Sequence, residues 1–262
     1  MKPSNDNEYR SKHNRGLLTG ALGDTSLAYT RELAQQKQPK EAGMTPGLTL
    51  YFNPLTVNSI KVQLLCHALE LEVNYRHIAL AQGEHLTPKF LEVNPDGKVP
   101  VLVDGNLVLT ESNAILQYLA HKHQSPLWPP GLIHQGQVLK WLFWQIGDWH
   151  KAAGAFAHYR VVLPHWDFGG QKQLTAQTLA EFHKAAARLE LALIGKKALT
   201  GDIFTLADIA IGSYLIFAEE AQIPLEQYPQ IRRWLAQLAG KPWWQQTRQT
   251  LTDILTRKHA YA

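Results

Sequence analysis

The chain has 262 residues, 45% of them hydrophobic and 18% charged, with eight Trp and a net charge of +4. That is the composition of a globular protein long enough to bury two cores. The positive surplus is scattered, and residues 48–120 carry more acidic than basic side chains, which argues against the concentrated basic face of a nucleic-acid binder.

Residues 1–46 are rich in Asn, Gln, Lys, Ser and Gly and hold no sustained period except around 27–34, so they read as a mobile, disordered tail. Met44 precedes the first strand-like run and offers a second start. The five acidic residues of the tail argue against an organellar transit peptide. No apolar block resembles a secretory signal and no run of about 20 apolar residues could span a bilayer. The cytoplasm is the expected location, with no membrane as partner.

From Leu48 the pattern is dense. Leu48–Phe52 reads as a strand that Pro54 ends, and Thr56 or Asn58 caps a helix reaching about Leu71. Asn74–Ala79 reads as a second strand, and Thr87-Pro88 opens a short helix. Val99–Val103 and Leu107–Leu109 flank Asp104-Gly105-Asn106, a hairpin turn signal. Ser112 caps a helix to about His123. The order is β-α-β-(α)-β-β-α over residues 48–124, an α/β unit whose crossover should be right-handed.

Residues 125–131, Ser-Pro-Leu-Trp-Pro-Pro-Gly, cannot continue a helix and read as a linker. Residues 132–262 read as all-helical. Leu139, Leu142, Ile146, Trp149 and Ala153 fall on one face of a helix, with Trp141 and Trp144 off that stripe. Such a helix is apolar on two sides, one for its bundle and the other for a pocket or a partner subunit. Thr205-Leu-Ala-Asp208 is a capping box, stapled by Phe204 and Ile209, that starts a buried helix running to about Ala218.

One cysteine, Cys66, excludes an intramolecular disulfide, a CxxC pair and a multi-thiolate zinc site. Thiol chemistry here must borrow its sulfur. The twelve His show no metal-binding spacing, so no metal is expected.

Asn94-Pro-Asp-Gly-Lys-Val-Pro100, followed by Leu109-Thr-Glu-Ser-Asn-Ala-Ile115, resembles the glutathione-site signature of the glutathione S-transferases. Thr56, Val99, Glu111 and Ser112 keep the intervals of the plant-type, Ser-hydroxyl branch. Thr56-Val-Asn58 is similar to a bacterial disulfide-reducing branch, with Thr where the plant-type branch has Ser. The resemblance implies a thioredoxin-like α/β domain followed by an all-α helical-bundle domain, glutathione as co-substrate and a homodimer. It implies a cis proline at Val99-Pro100, presenting the Val99 backbone to glutathione's central cysteine as an added strand. Alone, Val-Pro reads equally as a strand start, and Thr-Glu-Ser as an ordinary helix cap. Their fixed separation favours the site.

In that site Glu111 would hold the α-amino group of glutathione, and Ser112 with the helix N-terminus its carboxylate. Thr56, with Asn58 two positions on, is the first candidate for the hydroxyl that stabilises the thiolate. Tyr51 is the alternative, because the Tyr-using branches take the tyrosine of a similar Tyr-Phe pair. His85 matches a plant-type residue that binds the glycine carboxylate; Leu86 replaces that branch's assisting Lys, and Lys98 could supply the charge. Trp141 and Trp144 are expected to line the electrophile pocket. Cys66, inside the first helix, is given no role. The implied activity is attack of the glutathione thiol on small electrophiles, disulfides or peroxides. The other reading is a catalytically weak glutathione-site protein serving as an interaction or regulatory module.

Overall fold

The computed structural model describes residues 47–168 and 174–257, so the expected tail at 1–46 lies outside the described residues. Strand β1 (Leu48–Phe52), helix α1 (Val57–Ala68) and β2 (Val73–His77) form a crossover unit, with β1 and β2 parallel and Leu48 opposite Val73. β3 (Val101–Asp104) runs antiparallel to β1, pairing Leu48 with Asp104. β4 (Leu107–Leu109) folds back on β3 across Gly105, whose φ of +58° suits a residue without a Cβ. The order β2-β1-β3-β4 is that of a mixed four-stranded, thioredoxin-like sheet.

Between β2 and β3 lie two 3₁₀ turns and the short α2 (Pro88–Leu91), whose first turn is held by Thr87 Oγ1 accepting from the Phe90 amide. Val99–Pro100 is cis. Helix α3 (Ser112–Lys122) follows β4. α1 is buried on nearly every side, with Ser59 through Cys66 all out of solvent. It serves two layers at once, lying against α3 and against helices of the second half of the chain.

That second half is helical. α4 (Leu132–Trp144) continues through a π-helical turn (Gln145–Trp149) into α5 (His150–Ala157), a second π-turn (His158–Val162) and a last turn at Leu163–His165. α6 (Ala176–Ala192), α7 (Leu206–Gly212), α8 (Pro229–Ala239) and α9 (Pro242–Thr256) complete the bundle. One apolar core runs without a break from Leu50 in β1 to Ile254 in α9. A small second cluster of Ile78, Phe90 and Val101 packs on the other side of the sheet.

Two helical expectations change. α7 gives way to a 3₁₀ turn at Ser213–Leu215 rather than running as α-helix to 218. Ile146, placed on the packed stripe by its spacing, is 49% exposed, while its neighbour Gln145 is buried. The core takes the polar residue because Gln145 finds hydrogen-bond partners there, which a hydrophobic pattern does not register.

Candidate active site

The turn from β1 into α1 is fixed by Asn53, a fully buried side chain that donates from Nδ2 to the Ile78 carbonyl at 3.1 Å and accepts from the Leu55 amide at 3.1 Å. Thr56 then occupies the N-cap of α1 in extended conformation. Its Oγ1 lies 2.8 Å from Ser59 Oγ and 3.1 Å from the Asn53 carbonyl oxygen. A hydroxyl has one proton and can also accept. Here that proton is directed to Ser59 Oγ or the Asn53 carbonyl, and a ligand at the positive end of the helix dipole would have to draw it away from these acceptors.

Two residues on, Asn58 Oδ1 accepts from Ser112 Oγ at 3.4 Å, so the N-termini of α1 and α3 meet. Ser112 is buried, and Glu111 before it is exposed with φ +63° and ψ 107°. A non-glycine residue at positive φ costs about 1–3 kcal/mol, and such strain collects at functional sites. Expected residues from opposite ends of the motif thus come together.

Thr56 and Asn58 open onto a cavity of about 720 Å³, whereas Glu111 and Ser112 are not among its lining residues. Thr56, Asn58, His85, Lys98 and Val99 line its sheet side, with Pro100 buried behind Val99. The opposite wall comes from the long bent helix: His150 and Lys151 on α5, His158 and Tyr159 on the second π-turn, then Trp166. No Asp or Glu is among the lining residues, so the cavity is biased toward anions. Two buried nitrogens in its wall, His85 Nδ1 and Trp166 Nε1, have no partner among the described residues.

Trp141 and Trp144 do not line this cavity. They are 4% and 5% exposed, meet each other edge to face at 5.1 Å, and Trp144 stacks on Trp149 at 5.7 Å. Indole area wins burial, and these rings are bundle core. The pocket wall falls instead to smaller and polar residues around Gly154, where an added Cβ would touch the Tyr214 ring at 3.4 Å. Tyr51 also lies away from the cavity, packed on the small cluster with its ring 6.1 Å from Phe90. Cys66 is buried, and burial pushes its thiol up to about 12.

Several polar residues had no reading in the sequence. Ser59 stands three positions after Thr56, one helical turn, which is the only local hint of it. Lys61, 1% exposed, donates from Nζ to Asn113 Oδ1 at 2.8 Å and to Gln145 Oε1 at 2.9 Å. Burial lowers this ammonium from its ordinary 10.5 to about 7, against the pull of Glu111. Asn113, directly after Ser112, also donates to Gln145 Oε1 at 3.0 Å and to the Leu142 carbonyl at 3.1 Å.

The family model described as the N-terminal domain of glutathione S-transferases matches residues 46–121, and the C-terminal domain model matches 172–237. Glutathione S-transferase D7 of Drosophila melanogaster is 30% identical over 210 residues, covering 79% of this chain and 91% of the relative. The disulfide-bond oxidoreductase YfcG of Escherichia coli is 28% identical, covering 74% and 91%. The solved structure of glutathione S-transferase-I bound with lactoylglutathione superposes with a TM-score of 0.70 at 26% identity, covering 78% of this chain and 99% of that one. Both halves of the chain and its sheet topology agree with these matches, and the chain belongs to the glutathione S-transferase family.

Proposed function

We propose that the cavity binds glutathione and that the protein transfers the ionised thiol to a small electrophile. The observation that carries this reading is the meeting of Thr56, Asn58 and Ser112 at two helix N-termini beside a cavity without acidic side chains. A thiol of pKa about 8.5 ionises more readily beside a hydroxyl donor and a helix dipole. The Val99 backbone pairs with the cysteine of the tripeptide. Ser112 and Glu111 hold the γ-glutamyl end, and His85 with Lys98 the glycine carboxylate. The electrophile sits against the wall from His150 to Trp166.

A disulfide is a second substrate class, favoured by the inert setting of Cys66 and by the relative named as a disulfide-bond oxidoreductase. One glutathione thiolate attacks the disulfide and expels a thiolate; a second resolves the mixed disulfide, so no protein sulfur takes part. The exposed apolar face of α4 supports a homodimer.

The test is thiolate absorbance against pH with glutathione bound, alongside turnover of an aromatic halide. Thr56→Ala should raise the pKa of the bound thiol and slow turnover about tenfold, below the 10²–10³ of a lost oxyanion-hole donor because Ser59 and Asn58 remain. Tyr51→Phe should change neither. Loss of activity in Tyr51→Phe with retention in Thr56→Ala would sink the assignment, and binding without turnover would indicate a non-catalytic module.

A further inference from the structure

A buried chain of hydrogen bonds runs through the core from α1 and α3 to His150 on the cavity wall. It starts at Lys61 and Asn113, whose N–H groups both point at Gln145 Oε1. Whether charged or neutral, Lys61 can only donate here, since both of its partner atoms are carbonyl oxygens. The Gln145 amide is therefore fixed in one orientation, because the flipped amide would set NH₂ against two donors. Its Nε2 donates to the Tyr214 hydroxyl at 2.7 Å. That oxygen is thereby an acceptor on one side, and its own proton needs a place. His150 Nδ1 lies 2.9 Å away, and Tyr214 is fully buried. If Nδ1 carried the proton, the phenol O–H would be left as a buried donor without an acceptor among the described residues, at the cost of an unmade hydrogen bond.

The direction of donation thus runs from Lys61 through Gln145 and Tyr214 to His150 Nδ1. In the neutral imidazole the ring proton then resides on Nε2, and the exposed ring of His150 lines the cavity. The groups bearing on His150 are Lys61 from α1, Lys151 beside it on α5 and the Tyr214 hydroxyl. Burial first, then the two ammonium groups, lower its pKa below the ordinary value, which keeps the ring neutral at pH 7.

We propose that His150 is a specificity-determining residue that presents an Nε2–H donor to the electrophile, and that the class of electrophile favoured here carries a conjugated carbonyl oxygen. The proposal rests on the glutathione reading above. In the reaction the thiolate adds to the β-carbon of an α,β-unsaturated ketone, forming the C–S bond while the C=C pair moves to give an enolate. His150 donates a hydrogen bond to the enolate oxygen as its charge develops. A solvent proton, equal to the one lost by the thiol on ionisation, then completes the α-carbon.

The experiment compares wild type with His150→Ala, His150→Gln and Tyr214→Phe on a small enone and on benzyl chloride, which has no such oxygen, with glutathione affinity measured by calorimetry. His150→Ala removes part of the electrophile wall for both compounds, so the readout is the ratio: kcat/KM on the enone should fall about tenfold or more further than on the halide. His150→Gln, which keeps an N–H, should recover part of the loss. ¹⁵N NMR of the unmutated, glutathione-bound protein should show His150 as the Nε2–H tautomer, a readout that needs no variant to fold. An Nδ1–H tautomer, or equal losses on both electrophiles, would overturn the proposal while leaving the transferase reading intact. A wild type that binds no glutathione and turns over neither compound would overturn both.

Discussion

At Lys61 the balance between solvation and hydrogen bonding can be read as a pH dependence. The ammonium is buried with two neutral oxygen acceptors, and its pKa falls from 10.5 to about 7. A lowered lysine pKa means that the unfolded chain binds more protons than the folded one between those values. Stability therefore rises with pH across that window, and the full burial penalty is present below pH 7. In Lys61→Met this dependence is absent. Urea unfolding of the two proteins should show wild type gaining on the variant from pH 7 to pH 10, and a constant difference would contradict the assignment. Residues of this kind mark the limit of one-dimensional reading. The placement of Thr56, Asn58, Glu111 and Ser112 at helix N-termini was legible because its signals are local: a hydroxyl before a helix, a strand handing over to a helix, a fixed spacing from Val99. Lys61 and Gln145 were not, because a charged or amide side chain in an apolar stretch carries no mark that its partners arrive from 52 and 84 positions away.

Among the helices, α7 shows how a local signature becomes a tertiary anchor. The capping box is present, with the Thr205 amide donating to Asp208 Oδ2 at 2.8 Å. The same carboxylate, fully buried, also accepts from the Leu199 amide and from Trp234 Nε1, each at 2.9 Å. Asp208 thus ties the start of α7 to the preceding loop and to α8. Asp208→Ala would leave three buried N–H groups without their acceptor, at about 1–3 kcal/mol for each unsatisfied group. A loss of about 3 kcal/mol or more in urea unfolding is expected, with Asp208→Asn recovering part of it through its remaining oxygen. A loss below about 1 kcal/mol would show that water or another group replaces the carboxylate. The box could be read from four residues, whereas its reach to Trp234 could not. The two tryptophans assigned to the pocket failed for a related reason. An apolar helix with two sides gives no sign of which side meets the sheet, and Trp141 and Trp144 went to the core while His150, His158 and Tyr159 took the cavity.

For the whole molecule, the order of strands and helices was legible because each element carries its own period and punctuation, and the family motif then placed the antiparallel β3–β4 hairpin on the parallel pair. Association with another chain is less legible, since it depends on which apolar residues the fold leaves outside. Leu132, Ile133, Phe143 and Ile146 are 88%, 81%, 70% and 49% exposed. Eleven residues make three helical turns, so Leu132 and Phe143 lie on one face of α4, with Ile146 a turn further on. Gly136 and Gly147 fall along that face, and a Cβ at either would meet nothing, so the surface is open to a close approach. Single exposed apolar residues are ordinary, but three along one helix face, with Ile133 at its edge, suit an interaction surface. A second copy of the chain is the occupant that the family membership favours, and a two-fold axis would bring the same stripe of each subunit into contact. Phe143→Asp would then set two carboxylates against each other or strand each on an apolar surface. Sedimentation velocity across the micromolar range should show wild type as a dimer and Phe143→Asp shifted to monomer with an unchanged far-ultraviolet circular dichroism spectrum. A monomeric wild type throughout would remove the dimer, and a dimer that persists in Phe143→Asp would move its interface off α4.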